Sequence, residues 1–325
     1  MATTTVPTPA VAPRVSTRPY VRWRALLPAY LMCAPTVILF LVFMVFPILF
    51  VLYTSFLDWN GIGSVFAARW VGAANYQRLA HDPTWWLAVR NTVVYAVIKL
   101  AVELPLALLL ALVLNTGLRG RTIFRTIGFL PVITSIAVVS LAFTFFFAPT
   151  GGAFNDLLVN KLGLLDTPIA FLGERDYAFW TVTGVAIWHD LGMNMVFFLA
   201  ALQTVGREFY EAAKVDGANG WQQFRAITVP AIRPITIVVI TLSMAGSLKV
   251  FDYFAVMTGG GPGFSTVTMV LYMFRYTSFG GGGLSGSQTI PEVGYGSTVA
   301  IGLGLIIFGA IIVQQAIGRW QQERG

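Results

Sequence analysis

Apolar residues in this chain come in long runs rather than in short alternations. Six runs, at about 27–54, 89–115, 124–147, 178–203, 235–257 and 296–317, are set apart by polar, proline- or glycine-bearing segments. A helix needs about 20 residues to cross a bilayer, and each run is long enough. The first, LLPAYLMCAPTVILFLVFMVFPILFVLYTSF, holds no charged residue. It is far longer than the apolar core of a cleaved signal peptide and shows no evident small-residue cleavage site, so it is expected to stay as an anchor. The pattern predicts an all-α membrane protein with six transmembrane helices.

Composition agrees. Of 325 residues, 56% are hydrophobic and 11% charged, against about a quarter charged in a typical soluble domain. A large soluble helical protein is the competing reading and would have to hide too much apolar surface. Basic residues stay on the cytoplasmic side of a membrane. With the N-terminus inside, the inner segments carry Arg14, Arg18, Arg22, Arg24, Arg119, Arg121, Arg125, Arg207, Lys214, Arg225, Arg233, Arg319 and Arg324. The outer ones carry only Arg69, Arg78, Arg90, Lys161, Arg175 and Arg275. Both termini are therefore expected in the cytoplasm. The same bias accounts for the net charge of +7 without a nucleic acid partner. Residues 1–26, rich in Thr, Pro and Ala towards their start, read as a disordered cytoplasmic tail, and 27–325 as one transmembrane domain.

Missing chemistry narrows the function. Gly-Lys never occurs, so there is no phosphate-binding P-loop. GGGLSG at 281–286 formally fits G-x-G-x-x-G but lies in a glycine-rich outer loop and reads as a linker. Cys33 is the only cysteine, and no His, Cys or carboxylate cluster has metal-ligand spacing. Work against a gradient would need an ion gradient or an energy-supplying partner. Charges inside the runs carry more information, because each costs roughly 2.5–3.5 kcal/mol at a helix centre. Lys99 and Glu103 share a helix face, Asp190 interrupts the fourth run, and Lys249 and Asp252 fall in the fifth. They either neutralise one another or line a polar path. Pairing is the expectation for Lys99 with Glu103. For the fourth and fifth runs a path is expected, with Trp188, Asp190, Asn194, Ser243, Ser247 and Lys249 as its lining, because hydroxyl, amide and aromatic groups occur together there. Such sets suit sugars.

One polar interruption, EAAKVDGANGWQQFRAITVPAIRP at 211–234, is long and charged. Glu208 to Val215 has good helix formers with acids at the start. Asp216-Gly217 signals a turn, and Asn219 with Gln222 three residues on can form a capping box. Trp221, Phe224 and Ile227 give an apolar stripe, Pro230 is expected to stop the second helix, and Pro234 to open the fifth span. The product is a helix–turn–helix at about 204–234 on the cytoplasmic face, either a docking element or a plain re-entry loop.

This segment resembles the EAA motif of permease subunits of binding-protein-dependent ABC importers, approximately E-A-A-x-x-D-G-A, a gap, then F-x-x-I-T-x-P and a further proline. Glu211, Ala212, Ala213, Asp216, Gly217, Ala218, Phe224, Ile227, Thr228, Pro230 and Pro234 match. NTVVYAV, RTIGFLPVITS, VFDYFAVMTGGGP and FGGGGLSGSQ resemble the carbohydrate-uptake branch, the last of them its larger, maltose-type permease. The resemblance implies a coupling hairpin that docks on a cytoplasmic ATPase, with Glu211 as a polar contact and Gly217 for close backbone packing. It implies a second permease subunit, two ATPase subunits that hold ATP and Mg, an extracytoplasmic solute-binding protein, and a bacterial inner membrane. This chain would bind no cofactor and catalyse nothing itself. Two positions depart from the pattern. Gly206 stands where many members carry proline, which should loosen the start of the hairpin, and Asp190 stands where a small or neutral residue is expected. The alternatives are an ion-coupled secondary transporter using Asp190, Lys249 or Asp252, a non-transporting scaffold, or an importer permease for a non-sugar solute.

Overall fold

The computed structural model describes residues 23–116, 120–278 and 290–323. Residues 1–22 of the expected tail and the glycine-rich FGGGGLSGSQ at 279–288 lie outside them, while 23–26, also expected in the tail, already belong to the first helix. The chain divides into two units, Met1–Phe50 and Val51–Gly325. In the first, helix α1 (Trp23–Phe40) runs through a π-turn (Leu41–Val45) into α2 (Phe46–Thr54). No residue between Tyr30 and Phe50 is buried, which suits a helix solvated by lipid.

The second unit opens with a two-residue antiparallel pairing of β1 (Leu57–Asp58) and β2 (Arg69–Trp70), followed by α3 (Ala74–Ala80). Then comes α4 (Pro83–Asn115). Asp82 caps it, accepting from the backbone N–H of Thr84 at 2.9 Å, and Pro83 takes the first position, where no donor is needed. The buried positions of α4 include Ala88, Thr92, Tyr95, Lys99, Glu103, Ala107 and Ala111, a stripe at three- and four-residue spacing. Its other face shows Val97, Leu109 and Val113. A helix that is apolar on its outer face as well belongs in lipid, and its polar stripe must then find partners inside the protein.

Those partners come from α8 (Arg175–Gln203), which packs along α4. Lipid gives no hydrophobic drive for helix association, so close approach through small residues matters. Ala88, Ala107 and Ala111 of α4 and Ala178 and Ala186 of α8 are fully buried. Another close approach is between α8 and α5 (Arg121–Ile133), where a Cβ on Gly192 would lie 2.1 Å from the carbonyl oxygen of Gly128.

Six transmembrane helices were expected, and the run expected as the third is a bent pair. The run at 124–147 forms α5 and α6 (Ile136–Phe146), which meet at 95°. Pro131 removes one backbone donor near the end of α5 and opposes the turn before it, and Thr134 leaves the helix in an extended conformation. Five helices are long and apolar enough to cross a bilayer, or six if the bent pair counts as one, among the described residues. After the short α7 (Ala153–Asp156) and α8 comes the hairpin helix α9 (Arg207–Val215).

Pro230 does not end the hairpin's second helix. The helix runs from α10 (Gly220–Gln223) through a π-turn (Phe224–Thr228) into α11 (Val229–Leu248). The wide turn, closed by Val229 N–H on the Phe224 carbonyl, precedes a residue that cannot donate, so the proline sits in the first turn of α11 without breaking the rod. A break comes instead at Lys249–Phe251, before α12 (Asp252–Met257), inside the stretch expected as one fifth span. The short α13 (Met269–Thr277) and the last long helix, α14 (Val293–Glu323), close the fold.

Candidate functional site

The break between α5 and α6, the middle of α4 and α8, and the end of α11 enclose a cavity of about 800 Å3. Asp190, Asn194, Ser243, Ser247 and Lys249, all expected on a solute path, line it. Trp188 does not. It is half exposed, meets Phe143 edge-on at 5.2 Å, and with Phe147, Phe154 and Phe171 borders a separate apolar hollow. Two residues along a helix turn the side chain by about 200°, so Trp188 and Asp190 point to opposite sides.

One part of the cavity wall, which is otherwise largely apolar, is a connected polar network. Lys99 Nζ lies 3.0 Å from Glu103 Oε2 and 2.9 Å from Asp190 Oδ2. Glu103 Oε2 is buried against the ammonium. The other oxygen, Oε1, accepts from the Asn194 amide. Asn194 in turn accepts from the Ser243 hydroxyl at 3.1 Å, and Ser247 donates to the Ser243 carbonyl at 2.7 Å. Asp190 Oδ1 accepts from Tyr253 at 2.9 Å and stands 2.7 Å from His189 Nδ1. His189 Nε2 faces the Thr134 carbonyl, at the elbow of the broken span, at 3.2 Å. Lys99 and Glu103 are thus paired as expected from their spacing, and Asp190 completes a cluster of three charges. Such charges are tolerable in a low dielectric only when paired and hydrogen-bonded. Lys249 and Asp252 form no ion pair among the described residues and are both exposed.

Sequence reasoning missed His189, Tyr253 and the Thr134 carbonyl. His189 was legible only as the neighbour of Asp190. The other two needed knowledge of which helices touch. The cavity can offer hydroxyl donors and acceptors beside the carboxylates of Asp252 and Asp190, the latter with 31% of its side-chain surface exposed.

The hairpin is built as its residues dictate. Gly217 takes a left-handed conformation (φ 81°) after α9, and Ala218 N–H returns to the Ala213 carbonyl at 2.8 Å, with Gly217 N–H on Lys214. These are the bonds of a Schellman stop. Asn219 and Gln222 then form the reciprocal capping box, at 2.9 and 2.8 Å. Tyr210 and Thr228 join the two arms at 2.9 Å. Glu211, Ala212, Asp216 and Gly217 are exposed, while Ala213, Ala218, Phe224 and Ile227 are half buried. Trp221 is 69% exposed and stacks on Phe224. A Cβ on Gly217 would meet nothing within 4 Å, so within this chain the glycine is needed for its backbone angle.

A cavity with a polar network in its wall, set between membrane-type helices, with an exposed helical hairpin joined to one of them, is the architecture of a transport-system membrane subunit. The chain belongs to the family of binding-protein-dependent transport system inner membrane components, whose family model matches residues 103–322. With its several apolar helices it is a multi-pass inner-membrane protein. It is 34% identical to the lactose transport system permease protein LacF of Rhizobium radiobacter, over 86% of this chain and 89% of that one. It is also 34% identical to the arabinooligosaccharides transport system permease protein AraP of Bacillus subtilis, over 86% and 84%. Its fold matches a chain of a bacterial ABC transporter involved in the import of the acidic polysaccharide alginate, with a TM-score of 0.76, 24% identity, and coverage of 91% and 98%.

Proposed function

We propose that this chain is one of two permease subunits of an ATP-driven ABC importer for a sugar or sugar derivative, in a bacterial inner membrane with both termini in the cytoplasm. The observation that carries the reading is the cavity at the break of α5 and α6, lined by Asp190, Asn194, Ser243, Ser247 and Lys249. The relatives named for lactose and arabinooligosaccharide transport support a sugar. An extracytoplasmic binding protein delivers the solute to the cavity mouth. Two cytoplasmic ATPase subunits, holding ATP and Mg, close on one another and move the hairpin.

Glu211, Ala212, Ala213, Asp216, Gly217 and Ala218 form the contact with an ATPase. Phe224, Ile227 and Pro230 carry the movement into α11, because the helix from Gly220 to Leu248 is one rod. Substrate specificity is divided between the binding protein and the cavity. The test is a pull-down of tagged chain from its native membrane, wild type beside Gly217→Trp. A P-loop ATPase should copurify with wild type and be weakened or lost in the variant. An uptake-competent membrane in which no ATPase copurifies would remove the reading.

A further inference from the structure

Both ring nitrogens of His189 face acceptors. Nδ1 lies 2.7 Å from the Asp190 carboxylate, and Nε2 lies 3.2 Å from the Thr134 carbonyl. A neutral imidazole has one donor and one acceptor, so it can satisfy only one of these two; the imidazolium, with two donors, satisfies both. The Tyr253 hydroxyl, also 2.7 Å from Nδ1, is oriented to give its proton to Asp190 and so offers Nδ1 its oxygen. Thr134 follows the last residue of α5, whose end leaves carbonyls without helical partners. A cation at a helix C-terminus is favoured by the helix dipole as well as by the hydrogen bond.

We infer that His189, held as an imidazolium, is a positioning residue for transport: it pins the end of α5 to α8 and so fixes the elbow at Thr134 that walls the solute cavity. The charged and titratable groups around it are Asp190 on its own helix, Lys99, Glu103 and Tyr95 on α4, and Tyr253 on α12. Lys249 and Asp252 line the same cavity from the break after α11. One ammonium and two carboxylates leave this cluster one negative charge in excess, and the imidazolium balances it. Loss of the proton sets a lone pair against either Thr134 or Asp190 and frees the elbow. Imidazole is the side chain whose ordinary titration falls nearest neutrality.

The inference rests on reading this cavity as the transport path, and its test needs no identified solute. In a Cys33→Ser background, Val132→Cys places the chain's only thiol at a half-buried position of the cavity wall beside the elbow. Ile62→Cys, at an exposed site in the outer loop, serves as control. The complex is labelled in native membrane vesicles with a membrane-permeant maleimide from about pH 5.5 to about pH 8.5, a window centred near ordinary imidazole titration. The ratio of the two labelling rates removes the thiol's own titration. It should rise severalfold with pH in wild type, stay flat in His189→Gln, and stay low throughout in His189→Arg, which keeps a permanent cation. Lys99, Glu103 and Asp190 remain in both variants, so the change is assigned to the imidazole. A flat wild-type ratio overturns the inference even if neither variant assembles, as does a rise that survives in His189→Gln. Either result leaves the ATPase copurification test untouched, and failure of that test leaves this one readable.

Discussion

The Lys99 ammonium on α4 lies 2.9 Å from the Asp190 carboxylate on α8, so the seam between these two helices is closed by an ion pair as well as by alanines. Removing one member of a buried charged group costs about 3–5 kcal/mol, because its partners stay buried and uncompensated. Lys99→Met should therefore lower the thermal stability of the purified complex sharply. Lys99→Met with Glu103→Leu removes one charge of each sign and should recover much of the loss. Equal destabilisation by the single and the double variant would show that charge balance is not what the seam requires.

Asp190 lines the cavity with the polar network, whereas Trp188 borders the apolar hollow on the other side of α8. A hydrogen bond to a charged group is worth about 1.5–3 kcal/mol, or roughly 10- to 150-fold in affinity. Asp190→Asn should reduce ATP-driven sugar uptake on that scale when the rate is taken per assembled complex. Trp188→Phe keeps an aromatic ring in the Phe143 cluster and should leave uptake near wild type. Transport assays that rank the two variants the other way would put the path on the opposite face of α8.

Gly206 already has a proline-compatible backbone, with φ at −62°. A Cβ there would meet only the end of the exposed Glu208 side chain, which has to turn aside. Gly206→Pro should stabilise the hairpin by about 0.4–1 kcal/mol, chiefly by restricting the unfolded chain. Asn219→Ala should cost about 1 kcal/mol through the lost cap. Amide hydrogen exchange across 207–228 measures both, and faster exchange in the proline variant would reject the first.

Legibility differed between local and tertiary features. The turn at Gly217 and the box of Asn219 with Gln222 depend on residues within six positions of one another, and the sequence displays them. The elbow at Thr134 sits in a run that is apolar throughout, and its carbonyl is satisfied by a histidine 55 residues away. Lys99 and Glu103 were legible as a pair because one helix holds both. The addition of Asp190 depends on α4 lying against α8, which no single-helix periodicity states. Trp188 was grouped with Asp190 by proximity in the chain, although helical geometry sends them apart.

Asp82 gives the acid behaviour. Partial burial pushes its carboxyl up, but hydrogen bonds from the Tyr272 and Tyr295 hydroxyls and from the backbone of Thr84 and Trp85 outweigh it and hold it below its ordinary value. For a depressed carboxyl the stabilisation is present above the unfolded value, near pH 4, and is lost as pH falls through the folded one. Thermal melts should thus drop below about pH 4 in wild type. Asp82→Asn should be less stable at neutral pH and should lack that part of the drop. Parallel acid profiles would deny Asp82 the role.

The π-turn at Phe224–Thr228 closes with one residue more than an α-turn would need. In terms of insertions and deletions, it stores an angle. Taking one residue out of that turn would rewind the rod to α register and rotate α10 by about 100° relative to α11. Trp221 would then leave the side of the hairpin it now occupies, with no amino acid there having changed type. The angular setting between the hairpin and the helix it leads into is therefore held by chain length, and a comparison of relatives that places a gap between Gln223 and Pro230 marks a change in how the hairpin is aimed.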